Sequence, residues 1–150
     1  MNRNLVLVIA GLAVVGLVGF AVVRSNRTAA PAPQITPLPP PADVPFIEQA
    51  DAKALLDGAG VTMLDVRDAD AYLASHIPNA LQIPLSRVEG EIPYLPKEKP
   101  IVAYCTCPHD EAAIEAVQIL RHGGVAGARV LRGGLQEWTR FGFPTAVGMK

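Results

Sequence analysis

A chain of 150 residues has room for one ordinary folded domain. Only 18% of it is charged and its formal net charge is -1, so it carries no electrostatic footprint for nucleic acid. Its two cysteines stand two positions apart, which rules out the disulfide framework of a small secreted domain.

Taken in order, the chain opens on residues 5–23 (LVLVIAGLAVVGLVGFAVV), a run without a charged side chain. It is long enough to cross a bilayer as one helix, and membrane helices tolerate its Gly11, Gly16 and Gly19. Arg24 and Arg27 follow directly and no clear cleavage site closes the run, which favours an anchor over the competing reading, a cleaved signal peptide. Without a polar face the run does not suit a buried soluble helix. Residues 1–27 are therefore expected to form a short tail and a transmembrane anchor. Arg3 on one side against Arg24 and Arg27 on the other leaves the positive-inside count close to a tie. An N-terminal anchor with its bulk exported is the commoner bacterial arrangement, and it tips the expectation to a periplasmic or extracytoplasmic domain. Residues 28–45 hold half of the chain's 14 prolines, a composition that cannot pack a core and acts as a semi-rigid spacer.

Globular patterning runs over residues 46–147. Residues 46–47 read as a short edge strand and 49–56 as a helix with Ala50, Ala54 and Leu55 on one side, stopped by Gly58 and Gly60. The β-rich run 61–66 (VTMLDV) reads as a buried strand, 68–75 as a short helix and 80–83 as a third strand. Residues 86–92 read as a helix, 93–100 as a proline-broken loop and 101–104 as the next strand. The clearest helix is 110–122, with Ala113, Val117 and Leu120 on one face and Gly123-Gly124 ending it. A last strand at 130–131 and a closing helix at 135–141 complete the pattern. Strands alternating with helices predict an α/β domain with a mostly parallel sheet.

The stretch 99–116 (KPIVAYCTCPHDEAAIEA) carries the chemistry. An apolar strand delivers Cys105 to a loop that runs into a helix, the place where open α/β sheets bind ligands. Unpaired N–H groups and the helix dipole there favour negative charge, so Cys105 is expected as a thiolate nucleophile.

Three blocks carry a resemblance. Asp65-Val66-Arg67, Tyr72 and the run from Ser75 to Ala80 resemble the DVR…Y…GHIPGA block of rhodanese-like domains. Tyr104-Cys105 before an alanine-rich helix is similar to that family's active-site element, and Leu131-Arg132-Gly133-Gly134 with Trp138 to its closing LxGGxxxW block. The resemblance covers roughly residues 46–147. It implies a five-stranded, largely parallel sheet flanked by helices, preceded here by one transmembrane helix. It also implies sulfur transfer through a persulfide on Cys105. A persulfide passed on to Cys107 with disulfide release stays within this picture. The partners expected are a sulfur donor and a thiol acceptor, small molecule or protein, with no cofactor or resident metal.

The active-site loop, Thr106, Cys107, Pro108, His109, Asp110 and Glu111, departs from the family pattern. Acids stand where an arginine and a serine often serve thiosulfate, and two carboxylates near Cys105 oppose both a thiolate and an anionic donor. In the first helical turn the same acids also favour the macrodipole. Glu111 in place of the arginine of Cys-x5-Arg excludes a phosphatase. Asp65 and Arg67 read as a structural pair, His76 as a packing residue, Trp138 as a core anchor and Gly133-Gly134 as a tight turn. His109 reads either as a proton donor or cation at the site or as an exposed bystander. Two other classes stay open: a non-catalytic interaction domain, and a thiol-redox or soft-metal site at Cys105, Cys107 and His109.

Overall fold

The structure is a computed structural model that describes residues 44–149. The apolar run 5–23 and most of the proline-rich segment lie outside the described residues. No helix among the described residues is long and apolar enough to cross a membrane.

Five strands form one sheet: β1 (Phe46–Ile47), β2 (Thr62–Asp65), β3 (Leu81–Gln82), β4 (Ile101–Tyr104) and β5 (Arg129–Leu131). Their spatial order is β1-β5-β4-β2-β3, and every neighbouring pair is parallel. The helices are α1 (Gln49–Asp57), α2 (Ala69–Ala74), α3 (Val88–Glu91), α4 (Glu111–His122) and α5 (Gly134–Arg140). This is the α/β architecture expected, with an all-parallel sheet.

β4 lies in the middle of the sheet and is apolar throughout, as a strand buried on both faces must be. Alternation along it sorts the two cores. Ile101, Ala103 and Cys105 pack with Leu64, Val130 and the α4 residues Ala113, Ala116, Val117 and Leu120. Val102 and Tyr104 face the other way, toward Met63, Leu131, Ile77, Leu135 and Trp138. Full burial of a Val or Leu side chain is worth roughly 1.5–3 kcal/mol, so α4 is held by its Val117–Leu120 face rather than by propensity alone. The same alternation aims Cys105 at the face that α4 covers.

Three expectations need correction. The buried side of α1 is Gln49 and Ala52, with Leu56 packed beside them, whereas Ala50, Ala54 and Leu55 are exposed. Gln49 decides this rotation: its Nε2 donates to Arg132 O at 2.7 Å and to Gly134 O at 3.0 Å. Residues 86–92 do not form one helix. The single turn α3 is flanked by 3-10 turns at Leu85–Arg87 and Ile92–Tyr94, where Pro84 and Pro93 cannot supply ladder donors. Finally, Asp110 stands outside α4 as its N-cap, with a left-handed backbone at φ 59°.

Candidate active site

Cys105 follows β4 at the carboxyl end of the sheet and is 1% exposed. The Cys107 N–H donates to its Sγ at 3.2 Å. The loop closes on itself where Asp110 N–H donates to Cys107 O at 3.3 Å, and α4 begins at Glu111. A second element holds the loop from the other side. Leu135 N–H donates to Cys105 O at 3.0 Å, Gln136 Nε2 to Thr106 O at 3.3 Å, and Gly133 N–H to Asp110 Oδ2 at 2.8 Å. The Cys105 loop is thus clasped between the start of α4 and the start of α5.

Two effects compete at the sulfur. Burial raises the thiol pKa and is the larger; contact with the Cys107 side chain adds to it. The N–H groups of Cys107 and Ala113 lower it, as the helix-start position predicts. Burial wins, and the thiol is pushed up to about 12. The expectation of a resident thiolate is therefore corrected: at neutral pH Cys105 rests as a thiol.

The loop acids are not equivalent, which corrects their reading as a repelling pair. Asp110 is buried and turned away to Gly133, and its Oδ1 has no hydrogen-bond partner among the described residues. Burial raises its pKa, while the Gly133 N–H and the charge of Arg132 work against that rise. Its role is to tie the loop to the β5–α5 turn. Glu111 is exposed, and its pKa is lowered first by its own N–H in the first turn of α4. Its carboxylate accepts from His109 N–H and pairs with His109 Nδ1, both at 3.3 Å. The His109 side chain is 85% exposed, so it is not gathered with the two sulfurs. Among the described residues no group of three or more His, Cys, Asp or Glu is arranged to hold a metal ion.

This geometry can be set beside known proteins. The family model for the Rhodanese-like domain matches residues 48–141. The chain belongs to the rhodanese-like domain family. It is 34% identical over 102 residues to an HTH-type transcriptional regulator of Mycobacterium tuberculosis, covering 68% of this chain and 45% of that protein. The chain therefore spans less than half the length of that curated relative. It is 30% identical over 92 residues to the thiosulfate sulfurtransferase GlpE of Coxiella burnetii, covering 61% of this chain and 84% of that one. A human single-domain sulfurtransferase superposes with a TM-score of 0.57 at 27% identity, covering 65% and 96% of the two chains. The family's functions thus include sulfur transfer, and its members also include a regulator.

The remaining motif residues of the rhodanese-like domain are supports. Asp65, at the end of β2, accepts from Arg67 Nε at 2.9 Å, from Nη2 at 2.5 Å and from Arg67 N–H at 3.0 Å. Arg67 also donates to Ser75 O at 2.7 Å and sits 5.8 Å from the centre of the Tyr104 ring. With the carboxylate fully buried and bidentately paired, this is the structural pair expected. His76 is buried and stacked on Tyr72 at 3.8 Å, with Nδ1 2.8 Å from Tyr72 O and its backbone bridged to Ala146. Trp138 is fully buried and donates Nε1–H to Pro144 O at 2.9 Å. Gly133 and Gly134 take left-handed backbones at φ 74° and 52°, a turn that glycine enters without strain.

The sequence reading missed Gln49, and it placed Tyr104 in the active-site motif without reading its hydrogen bond. Gln49 braces the turn that holds the loop, and Tyr104 O–H accepts from Ile77 N–H at 3.1 Å beside the Asp65–Arg67 pair. A polar residue at the start of an alanine-rich helix gives no periodic signal of burial, so Gln49 was invisible to pattern. A cavity of about 430 Å³ among Ile92, Leu95, Lys99, Gly123 and Val125 lies at the amino end of β4 and does not include Cys105.

Proposed function

We propose that this chain is a membrane-tethered rhodanese-like sulfurtransferase that carries sulfane sulfur as a persulfide on Cys105. What carries the reading is the placement of Cys105 Sγ at the start of a twelve-residue helix, 3.2 Å from the Cys107 N–H. The Cys105 thiolate attacks the outer sulfur of a donor persulfide, R–S–SH, to give Cys105–S–SH and the thiolate RS⁻. Loop N–H groups and the α4 dipole stabilise the anion at that position. A persulfide of low charge suits the site better than a dianion, because Glu111 keeps its carboxylate ionised at the loop rim.

One measurement decides the class. Cys107→Ser leaves a single thiol in the chain, so any adduct is assigned without ambiguity. After exposure to glutathione persulfide, this variant is expected to gain about 32 Da on the peptide that contains Cys105. A specific observation favours a second reading, a non-catalytic interaction domain: Cys105 is 1% exposed and rests as a thiol. Failure to gain mass with several persulfide donors supports that reading and ends the first.

Tethering is assigned to residues 5–23, with the domain on the extracytoplasmic side. The full-length chain is expected to stay in membranes through carbonate and high-salt washing, because burial of the apolar run and not charge retains it. Recovery of the intact chain in the wash ends the anchor reading, and a shortened mature N-terminus replaces it with a signal peptide. Protease added outside sealed right-side-out vesicles is expected to remove the domain; protection places it on the other side.

A further inference from the structure

The Cys107 thiol, unlike the Cys107 N–H, has no task in sulfur uptake by Cys105, yet it is placed against it. Its N–H lies 3.2 Å from Cys105 Sγ, and its half-buried side chain packs on the core cluster that contains Cys105. The two side chains interact, and both cysteines are free thiols. The turn closed by Asp110 N–H on Cys107 O fixes the backbone of the second cysteine, and Thr106 and Pro108 on either side of it are exposed. A partly exposed cysteine is therefore seated beside a buried one.

We propose that Cys107 is a resolving thiol: once Cys105 carries sulfane sulfur, Cys107 attacks Cys105 Sγ, expels hydrosulfide and leaves a Cys105–Cys107 disulfide. The proposal rests on the persulfide reading above. The step needs no external oxidant. Cys105–S–SH and Cys107–SH become Cys105–S–S–Cys107 and hydrogen sulfide. The bond between the two cysteine sulfurs forms and the persulfide S–S bond breaks. The Cys107 sulfur is oxidised, the outer sulfur is reduced, and the Cys107 thiol proton leaves with the product. A dithiol reductant then reopens the disulfide and restores both thiols.

The leaving group selects which sulfur is attacked. Attack on the outer sulfur would release Cys105 as a thiolate inside a site whose burial disfavours that charge. Attack on Sγ releases a small, more acidic species into the open loop, and a leaving group of lower pKa departs faster. The consequence is a domain that converts sulfane sulfur to free sulfide at the expense of a dithiol, in addition to any direct transfer.

The test uses the full-length chain, fully reduced, then exposed to stoichiometric glutathione persulfide and freed of excess donor. The wild-type chain is expected to become about 2 Da lighter than its reduced form and to release about one hydrosulfide per chain, with a Cys105–Cys107 disulfide in its peptide map. Cys107→Ser is expected to keep an adduct of about 32 Da and to release hydrosulfide only after a dithiol is added. A wild-type chain that holds the adduct as long as Cys107→Ser does, without the disulfide, overturns the resolving role and leaves the persulfide reading intact. If neither protein gains mass nor releases hydrosulfide, both fall together. Disulfide mapping and sulfide release are read on the wild-type chain, so the result does not depend on how well the variant folds.

Discussion

Cys105→Ser is expected to abolish sulfur uptake outright, although Cys107 remains in the loop. Serine keeps the volume of the site and the contacts of its backbone, including Leu135 N–H to Cys105 O, so the fold survives. It removes the only thiol that β4 delivers to the start of α4. Uptake measured by intact mass should drop to background; an adduct of normal yield on Cys107 would transfer the nucleophile's role to that residue. The pH profile of Cys107→Ser carries the same assignment. With the Cys105 thiol pushed up to about 12, its thiolate fraction grows about tenfold per pH unit from neutrality upward. Uptake by Cys107→Ser should therefore still be climbing at about pH 9, where an ordinary thiol has begun to level off. A plateau there would show that the site does not hold the proton as burial predicts.

The same proton has a consequence for stability, and its sign follows from linkage. The thiol's ordinary value is 9.0 and its folded value is higher, so the native state keeps a proton that the unfolded chain releases. This contribution is complete below about pH 9 and is lost as pH rises toward 12. The buried Tyr104 hydroxyl is shifted in the same direction, so alkaline unfolding of the wild type mixes the two. The difference between wild type and Cys105→Ser isolates the cysteine: the variant should lose less stability across that window.

Gly134→Ala is expected to destabilise the domain by about 3 kcal/mol or more. Gly134 has φ 52°, and a Cβ there would lie 2.2 Å from Cys105 O and 3.1 Å from Cys105 C. Those are backbone atoms of the strand end, already bonded to Leu135 N–H, and cannot swing aside. Either the loop or the start of α5 must move, and sulfur uptake should fall with it. Gly133→Ala is the control. Its φ of 74° is also left-handed, but its obstacles belong to the Glu137 side chain, Cγ at 2.2 Å and Cβ at 2.9 Å, rather than to backbone. A smaller loss than at Gly134 is expected there: about 1–2 kcal/mol for a left-handed residue with a side chain, plus the shift of Glu137. Urea denaturation midpoints of the two variants check the contrast, and equal losses would show that the Cys105 carbonyl contact is not what requires glycine at 134.

Much of the fold was legible because its signals are local. The apolar run of β4, the repeat of Ala113, Val117 and Leu120 on α4, and the glycines that end α1 and α4 are properties of neighbouring residues. Nearest-neighbour chemistry also revealed Asp65 and Arg67 as partners, since two positions on one strand end bring carboxylate and guanidinium together. The order of blocks around Cys105 marked the family, and the position of Cys105 between strand and helix marked it as the candidate nucleophile.

What the sequence could not decide depends on contacts between residues far apart in the chain. Gln49 is buried because carbonyls of Arg132 and Gly134, more than eighty positions away, accept its amide. Asp110 turns inward because Gly133 N–H waits there, so a residue that reads as loop charge becomes a clasp. Cys105 sits where a helix start argues for a thiolate, and its protonation is settled instead by desolvation among Leu64, Ala113 and Val117. Local sequence determined where the sulfur stands. The packing of α4 and α5 around it decided how much water reaches it, and through that its charge.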